Sequence, residues 1–349
     1  METVHQQNVT WFALAALSPL GMFGAALAFG GVWPLIGLLH VGVLTVLLDQ
    51  MLSRGRADAP EGSEFPAADG LLVVLGVGHL LLLPAVVWAV AGPSGLGPWQ
   101  RGLLFAAAGL WMGQVAHPAA HELIHRGDRR LFRLGVAVYT SLLIGHHASA
   151  HRLVHHRHVA SRADPNTARP GEGFWRFLPR AWLGSFKAGL QAETALRSGG
   201  AGHPYAIYIG GAVAALACGY GLAQWGGVAV WAGLAAHAQM QIFLSDYVQH
   251  YGLVRVALPD GRLEPVGAQH SWNAPHRYSA RMMLNAPRHS DHHAHPARPY
   301  PALRLPAPDA APHLPWPLPL ACTLALIPPL WHRAIRPHLA CWRAPIAKA

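Results

Sequence analysis

Long apolar runs alternate along this chain with short polar segments rich in histidine and arginine. A run of about twenty apolar residues is long enough for a helix to cross a hydrocarbon core. Six such runs predict spans at residues 11–30, 32–49, 70–91, 99–121, 205–223 and 228–248. Only Gly30-Gly31 separates the first two, and Trp33-Pro34 opens the second, which predicts a tight helical hairpin. A seventh stretch, 131–145, is shorter and flanked by Arg129, Arg130 and Arg133, and reads as an interfacial or re-entrant helix. Nine prolines in 296–319 exclude regular helix and strand there, leaving an ordered, extended wrap or a linker. The apolar stretch 316–331 carries Pro317, Pro319, Pro328 and Pro329 and ends in His332-Arg333, so it packs on the polar domain or lies in the interface rather than spanning. The pattern predicts an all-α membrane protein forming one domain over 1–349. It comprises six transmembrane helices, a cytoplasmic histidine-rich helical cap at 122–204 and 249–349, and a Pro-rich C-terminal segment. No internal repeat and no cleavable signal are visible.

Composition strengthens this picture. Of the 349 residues 52% are hydrophobic and only 12% charged, about half the charged fraction usual in soluble domains. That disfavours a soluble enzyme, a disordered chain and a nucleic-acid binder, the last also because the basic residues are dispersed and form no binding module. The three cysteines form no C-x-x-C pair, so neither a disulfide scaffold nor a thiolate metal site is indicated. Arg54 and Arg56 follow the second span, twelve basic residues lie between Arg126 and Arg197, and eleven lie beyond residue 248, whereas the connections at 30–31 and 92–98 hold none. An even number of spans puts all the basic segments on one side, which the positive-inside rule makes cytoplasmic, together with both termini. The net charge of +10 is then a property of one face, suited to anionic lipid and to acidic partners.

Histidine is the anomaly: there are 24, and 16 fall in the windows 117–158 and 250–295. His121 and His125 stand at i, i+4; His151, His155 and His156 at i, i+4, i+5; His289, His292 and His293 at i, i+3, i+4; and His250 ends the sixth span. Helical neighbours at these spacings can turn their imidazoles toward one metal. Spans four and six run in the same direction, so His125 and His250 emerge on one face of the membrane. Nine imidazoles exceed the four ligands of a tetrahedral zinc and suit two metals with nitrogen-rich shells, for which iron, copper and zinc are all candidates. The run His121-Glu122-Leu123-Ile124-His125 also matches the zinc-protease helix H-E-x-x-H, but a protease site leaves seven clustered histidines unexplained. A non-catalytic metal transporter is the alternative of a different class; it calls for ionisable groups in mid-membrane, whereas the clustered histidines lie at span ends.

These motifs resemble those of the membrane-bound alkane 1-monooxygenases, within the fatty-acid desaturase-like superfamily. HELIHR at 121–126, AHRLVHHRHVASRADP at 150–165, DYVQHYGL at 246–253 and RHSDHHA at 288–294 are similar to the family's four boxes in order and spacing. Weaker similarity extends to VLLDQML at 46–52 and IPPLWHRAIRP at 327–337. Gln249 and Ala150 stand where the family usually has Glu, Asp246 where it has Asn, and Ala286-Pro287 where it has Leu-Gln; no histidine is lost. The resemblance implies two non-haem iron ions, O2 as co-substrate, and terminal hydroxylation of medium-chain n-alkanes to primary alcohols. The implied ligands are His121, His125, His151, His155, His156, His250, His289, His292 and His293. Glu122, Asp164, Gln249 and Asp291 are the candidates for supporting the ligating rings from behind. The chain has no motif for a nucleotide, a flavin or a rubredoxin-type iron site, so the resemblance implies a separate rubredoxin and an NAD(P)H-dependent rubredoxin reductase, with the site on the cytoplasmic side of the inner membrane. Fatty-acyl desaturation or hydroxylation and alkyl-arene methyl oxidation remain rival reactions for the same site.

Overall fold

A computed structural model of the chain describes residues 7–52, 58–197 and 202–346. The pair Arg54 and Arg56, used above for orientation, lies outside the described residues. Among those residues the fold is helical, with two isolated bridges in place of strands.

Helix α1, Thr10–Phe29, carries no charged residue. It turns back at Gly30 and Gly31, whose φ of +58° and +57° place both in the left-handed region that glycine enters without strain. Pro34 then opens α2, Trp33–Met51, which contains a π-helical turn at His40–Leu44. The predicted hairpin therefore forms. Helix α3 is Ala68–Ala91, and Arg101 ties its end to the following loop by donating to Val90 O (2.7 Å) in the last turn and to Leu96 O (2.8 Å) beyond it. Helix α4 runs Pro98–Trp111, widens into a π turn at Met112–Ala116 and continues His117–Ile124.

Next come α5, Arg129–Ser141, capped by the Asp128 carboxylate on the N–H groups of Arg130 and Leu131; α6, made of His147–Ala150, a π turn at His151–His155 and His156–His158; and α7, Phe174–Leu196. Helix α8, Pro204–His250, covers the predicted fifth and sixth spans in one 47-residue element. It breaks at Ala223 and Gln224 (φ +52° at the latter), and the chain doubles back so that Gly219 and Gly227, eight residues apart, meet backbone to backbone. Neither position has room for a side chain. The short helices α9, Arg277–Met282, and α10, His289–Ala294, are followed by α11, Leu318–Ala325, and α12, Pro328–Ile346.

Among the described residues four helices are long and apolar enough to cross a membrane: Thr10–Phe29, Trp33–Met51, Ala68–Ala91 and Pro204–His250. The predicted seventh stretch forms α5, which packs against α3 and the last turns of α4; Gly135 lies directly on the Ala120 carbonyl and the Leu123 and Ile124 side chains. Helix α7 has no counterpart among the predicted elements. It forms because Phe174, Phe177, Ala181, Ser185, Gly189 and Glu193 make one buried stripe at helical spacing. Of the two readings of the Pro-rich segment, an ordered wrap or a linker, it takes the first. Its Tyr300 is buried edge-on to Phe12 (5.1 Å), Leu303, Ala311 and Leu314 are buried too, and Leu314 N–H donates to Asn273 O (2.7 Å). The stretch after it packs on the protein, with Leu318, Ala321 and Ala325 buried and α11 lying against α8.

Candidate metal centre

Four segments deliver the nine histidines to one place: the end of α4, helix α6, the last residue of α8, and α10. Seven of the nine are buried, with His125 and His156 partly so. They sort into two groups, His121, His125, His151, His156 and His292 in one, His155, His250, His289 and His293 in the other. Within each group one ring nitrogen per residue lies within 4.8 Å of all the others. In the five-ring group the Nε2 atoms stand 2.8 Å apart for His121 and His151, 2.9 Å for His151 and His156, and 3.1 Å for His156 and His292. In the four-ring group His289 Nε2 is 3.0 Å from His250 Nε2 and 3.1 Å from His293 Nε2. The groups adjoin, with the rings of His156 and His293 4.7 Å apart.

The partition has a local cause. In an α-helix His151 and His155 would share a face. The π turn at His151–His155 closes i→i+5 instead, so His151 lies over His156 and both serve one group, while His155 is turned toward the other. On α10 the α-helical rule holds for His289 and His293, and His292, one residue round, faces the five-ring group.

Outer hydrogen bonds fix two tautomers. His155 Nδ1 is 2.8 Å from Asp164 Oδ2, and that carboxylate also accepts from Thr167 Oγ1 (2.6 Å) and, through Oδ1, from Asn166 N–H (3.0 Å). His250 Nδ1 donates to the His270 carbonyl (3.2 Å). Each of these rings then carries its proton on Nδ1 and turns the Nε2 lone pair inward. Burial drives the pKa values of His151, His156, His289, His292 and His293 well below the ordinary histidine range, and the neighbouring rings add to the effect. Burial acts the same way on His155, but the Asp164 carboxylate, helped by Asp246, outweighs it and raises the pKa. Burial also opposes ionisation of Asp164; His155, Thr167 and the Asn166 N–H overcome this and hold it low.

The donor set fits metal ions. Neutral imidazoles whose lone pairs converge at about 3 Å repel one another unless a proton or cation sits between them, and His125 Nε2 and His155 Nε2 are buried with no hydrogen-bonding partner. With metal–nitrogen bonds of about 2.1 Å, ligands at right angles have nitrogens about 3.0 Å apart and tetrahedral ligands about 3.4 Å. Nitrogens 2.8–3.1 Å apart, in groups no wider than 4.8 Å, are close enough to share one ion within each group.

The other predicted residues fall behind or beside this centre. Asp164 supports a ring directly. Glu122 accepts from Tyr300 N–H (3.0 Å) and faces Arg126 (3.5 Å), tying α4 to the Pro-rich wrap. Gln249 accepts from Ser245 Oγ (2.7 Å) and donates to Ala286 O (3.2 Å). Asp291 holds Arg298 (2.5 and 2.6 Å), His295 (3.0 Å) and Arg304 N–H (2.8 Å), and touches none of the nine rings through its hydrogen bonds. It anchors the wrap rather than a ring, because its neighbours on α10 already occupy the inward face. Sequence reasoning missed the His270 carbonyl, whose role carries no side-chain signal, and Asn166, which links the Asp164 turn to Asp246 (2.7 Å). His147, one of the histidines near the clusters that the sequence leaves between a surface and a supporting place, stacks its ring on His151 at 5.2 Å.

Residues 97–322 match the fatty acid desaturase family, which sets the class: a helical, membrane-type enzyme with a histidine-rich metal site. The chain is 30% identical over 325 residues to alkane 1-monooxygenase 2 of Pseudomonas aeruginosa, covering 89% of this chain and 85% of that one. It is 30% identical over 364 residues to alkane 1-monooxygenase of Ectopseudomonas oleovorans, covering 98% and 88%. The hydroxylase component of xylene/toluene monooxygenase from Pseudomonas putida is 28% identical over 356 residues, covering 96% and 90%. The chain thus belongs to the fatty acid desaturase family and, within it, to the alkane 1-monooxygenases, which are oxidoreductases.

Proposed function

We propose that this enzyme hydroxylates the terminal methyl of medium-chain n-alkanes with O2, its nine clustered histidines holding two iron ions and its electrons coming from rubredoxin and an NAD(P)H-dependent reductase. The observation that carries the reading is the pair of adjoining all-imidazole groups with nitrogens 2.8–3.1 Å apart. Iron supplies the activation of O2 and accepts the electrons. The nine imidazoles hold the ions, five around one and four around the other, and burial favours the neutral, ligating form of every ring, outweighed at His155 alone by the Asp164 carboxylate. Asp164 and the His270 carbonyl hold the rings of His155 and His250 in their ligating tautomers.

An alkane offers no polar handle, so a shaped cavity must set which carbon reacts. A cavity of about 140 Å³ between α4, the second arm of α8 and α11 suits that task, with Leu110, Pro118, Met240, Leu244 and Leu326 as apolar walls. It reaches His117, whose ring is 6.1 Å from that of His121. The two arms of α8 and the length of α4 support six crossings of the inner membrane, with both termini, the iron site and the basic segments on the cytoplasmic side, where an acidic electron carrier would dock.

Feeding octane, hexadecane, xylene and a fatty acid to cells that also express rubredoxin and its reductase tests the reaction. Primary alcohols from the alkanes are expected. Benzylic alcohol or a desaturated acid in their place would favour the rival reactions, of which arene methyl oxidation has the support of the similarity to the xylene/toluene enzyme. Metal analysis should return about two irons per chain.

A further inference from the structure

The cavity beside the histidine groups is more polar than a hydrocarbon requires. Gln114 lines it, is 9% exposed, and its side-chain oxygen is buried with no hydrogen-bonding partner. It sits in the π turn Met112–Ala116, a local widening of α4 of the kind that re-aims side chains at functional sites. Across the cavity α8 contributes His237, Gln241 and Ser245, and α11 contributes Thr323. Room for two of these is built into α4: Gly109 lies against the His237 ring and Gly113 against the Gln241 side chain, so a side chain at either glycine would collide with them. A buried amide left unpaired is destabilising in a water-poor site, and a plain alkane cannot pair it. None of the lining residues is Asp, Glu, Lys or Arg. A carboxylate would therefore enter without a counter-ion, which is unfavourable.

We infer that the cavity is built for a neutral aliphatic alcohol, whose hydroxyl donates a hydrogen bond to the Gln114 side-chain oxygen while its terminal methyl faces the metals. This rests on the hydroxylase reading of the site and narrows its substrate class. Gln114 lies seven residues, about two turns and 10 Å, before His121, the first of the ligating rings on this helix. The oxygen it holds is thus about two turns away from the carbon that reacts, and is distinct from the hydroxyl the reaction installs.

The test compares n-octane, 1-octanol, methyl octanoate and octanoate as substrates of the iron-loaded enzyme with its electron donors, in the unmodified chain and in Gln114→Met, a change of similar volume. Binding of labelled 1-octanol is measured in parallel by equilibrium dialysis. 1-Octanol should exceed octane in kcat/KM, methyl octanoate, which has no donor for the Gln114 oxygen, should not, and octanoate should be poor. In Gln114→Met the ratio of 1-octanol to octane should fall about 10- to 100-fold, with weaker 1-octanol binding to match. A preference for octane, or a ratio and an affinity untouched by Gln114→Met, overturns the inference while leaving the hydroxylase intact. Product from none of the four overturns the hydroxylase reading, and the dialysis arm then still decides whether Gln114 holds a neutral oxygen. If Gln114→Met fails to accumulate, Gln114→Leu carries the same expectations.

Discussion

The two histidine groups use the same side chain and are supported in different ways. In the four-ring group, His155 rests on the buried Asp164 carboxylate and His250 on the His270 carbonyl. His270 is in turn held by Glu264 (3.0 Å) and by Gly267 N–H (2.9 Å). In the five-ring group no ring hydrogen-bonds, among the described residues, to anything but another member of the group. The four-ring group is thus oriented by its surroundings and partly neutralised by a carboxylate, whereas the five-ring group is oriented by packing and by its own number. Outer hydrogen bonds raise ligand basicity and fix geometry, so the ion in the four-ring group should be the harder to remove.

Removing one ring from each side gives the largest effect. His250→Ala and His292→Ala should each abolish hydroxylation, by at least about 1,000-fold, and lower the metal content from about two ions to about one. Loss of both ions from either variant would mean that the groups act as one site. A smaller effect tests the support itself. Asp164→Asn keeps an acceptor beside His155 and removes the charge, and should weaken one of the two ions by about 10- to 100-fold. Chelator titration followed by metal analysis separates this from an equal weakening of both, which would erase the distinction drawn here.

Acid should act next, on both groups, with His155 alone opposing it. His151, His156 and His292 have pKa values well below the ordinary 6.5. Below that value the unfolded chain takes up protons that the folded chain refuses, so stability is full above about pH 6.5 and declines as the pH falls. His155 has the opposite sign, because its raised pKa favours the folded state below 6.5. Melting temperature and metal content measured between pH 5 and 8 should be level above 6.5 and fall below it; a rise toward acid would show that His155 dominates. The smallest effect is expected at Asp291. Asp291→Asn should lower stability by about 1–2 kcal/mol through its contacts to Arg298 and Arg304, with the ion count unchanged, and a lost ion would show that the carboxylate does support a ring.

Much of this architecture is legible in the chain. The hairpin at Gly30-Gly31 follows from two glycines between apolar runs, and the cluster of histidines from their spacing. Helix α7 was legible too, in the stripe from Phe174 to Glu193, but basic residues on its outer face mask the period. Asp291 sits between two histidines in sequence, and on a helix adjacent residues point about 100° apart, so proximity along the chain misstates its partner.

The sequence by itself determined the apolar helices, the basic segments and the nine histidines, because these depend on composition and on short-range periodicity. Only the tertiary structure decided which ring joins which group. The π turn that separates His155 from His156 forgoes regular α-helical hydrogen bonding, and it packs against α7 and against the rings of α10, the latter more than a hundred residues away. The turn that sets Gln114 into the cavity is packed in the same way, since glycines on α4 admit the side chains of α8 only once the two helices have met.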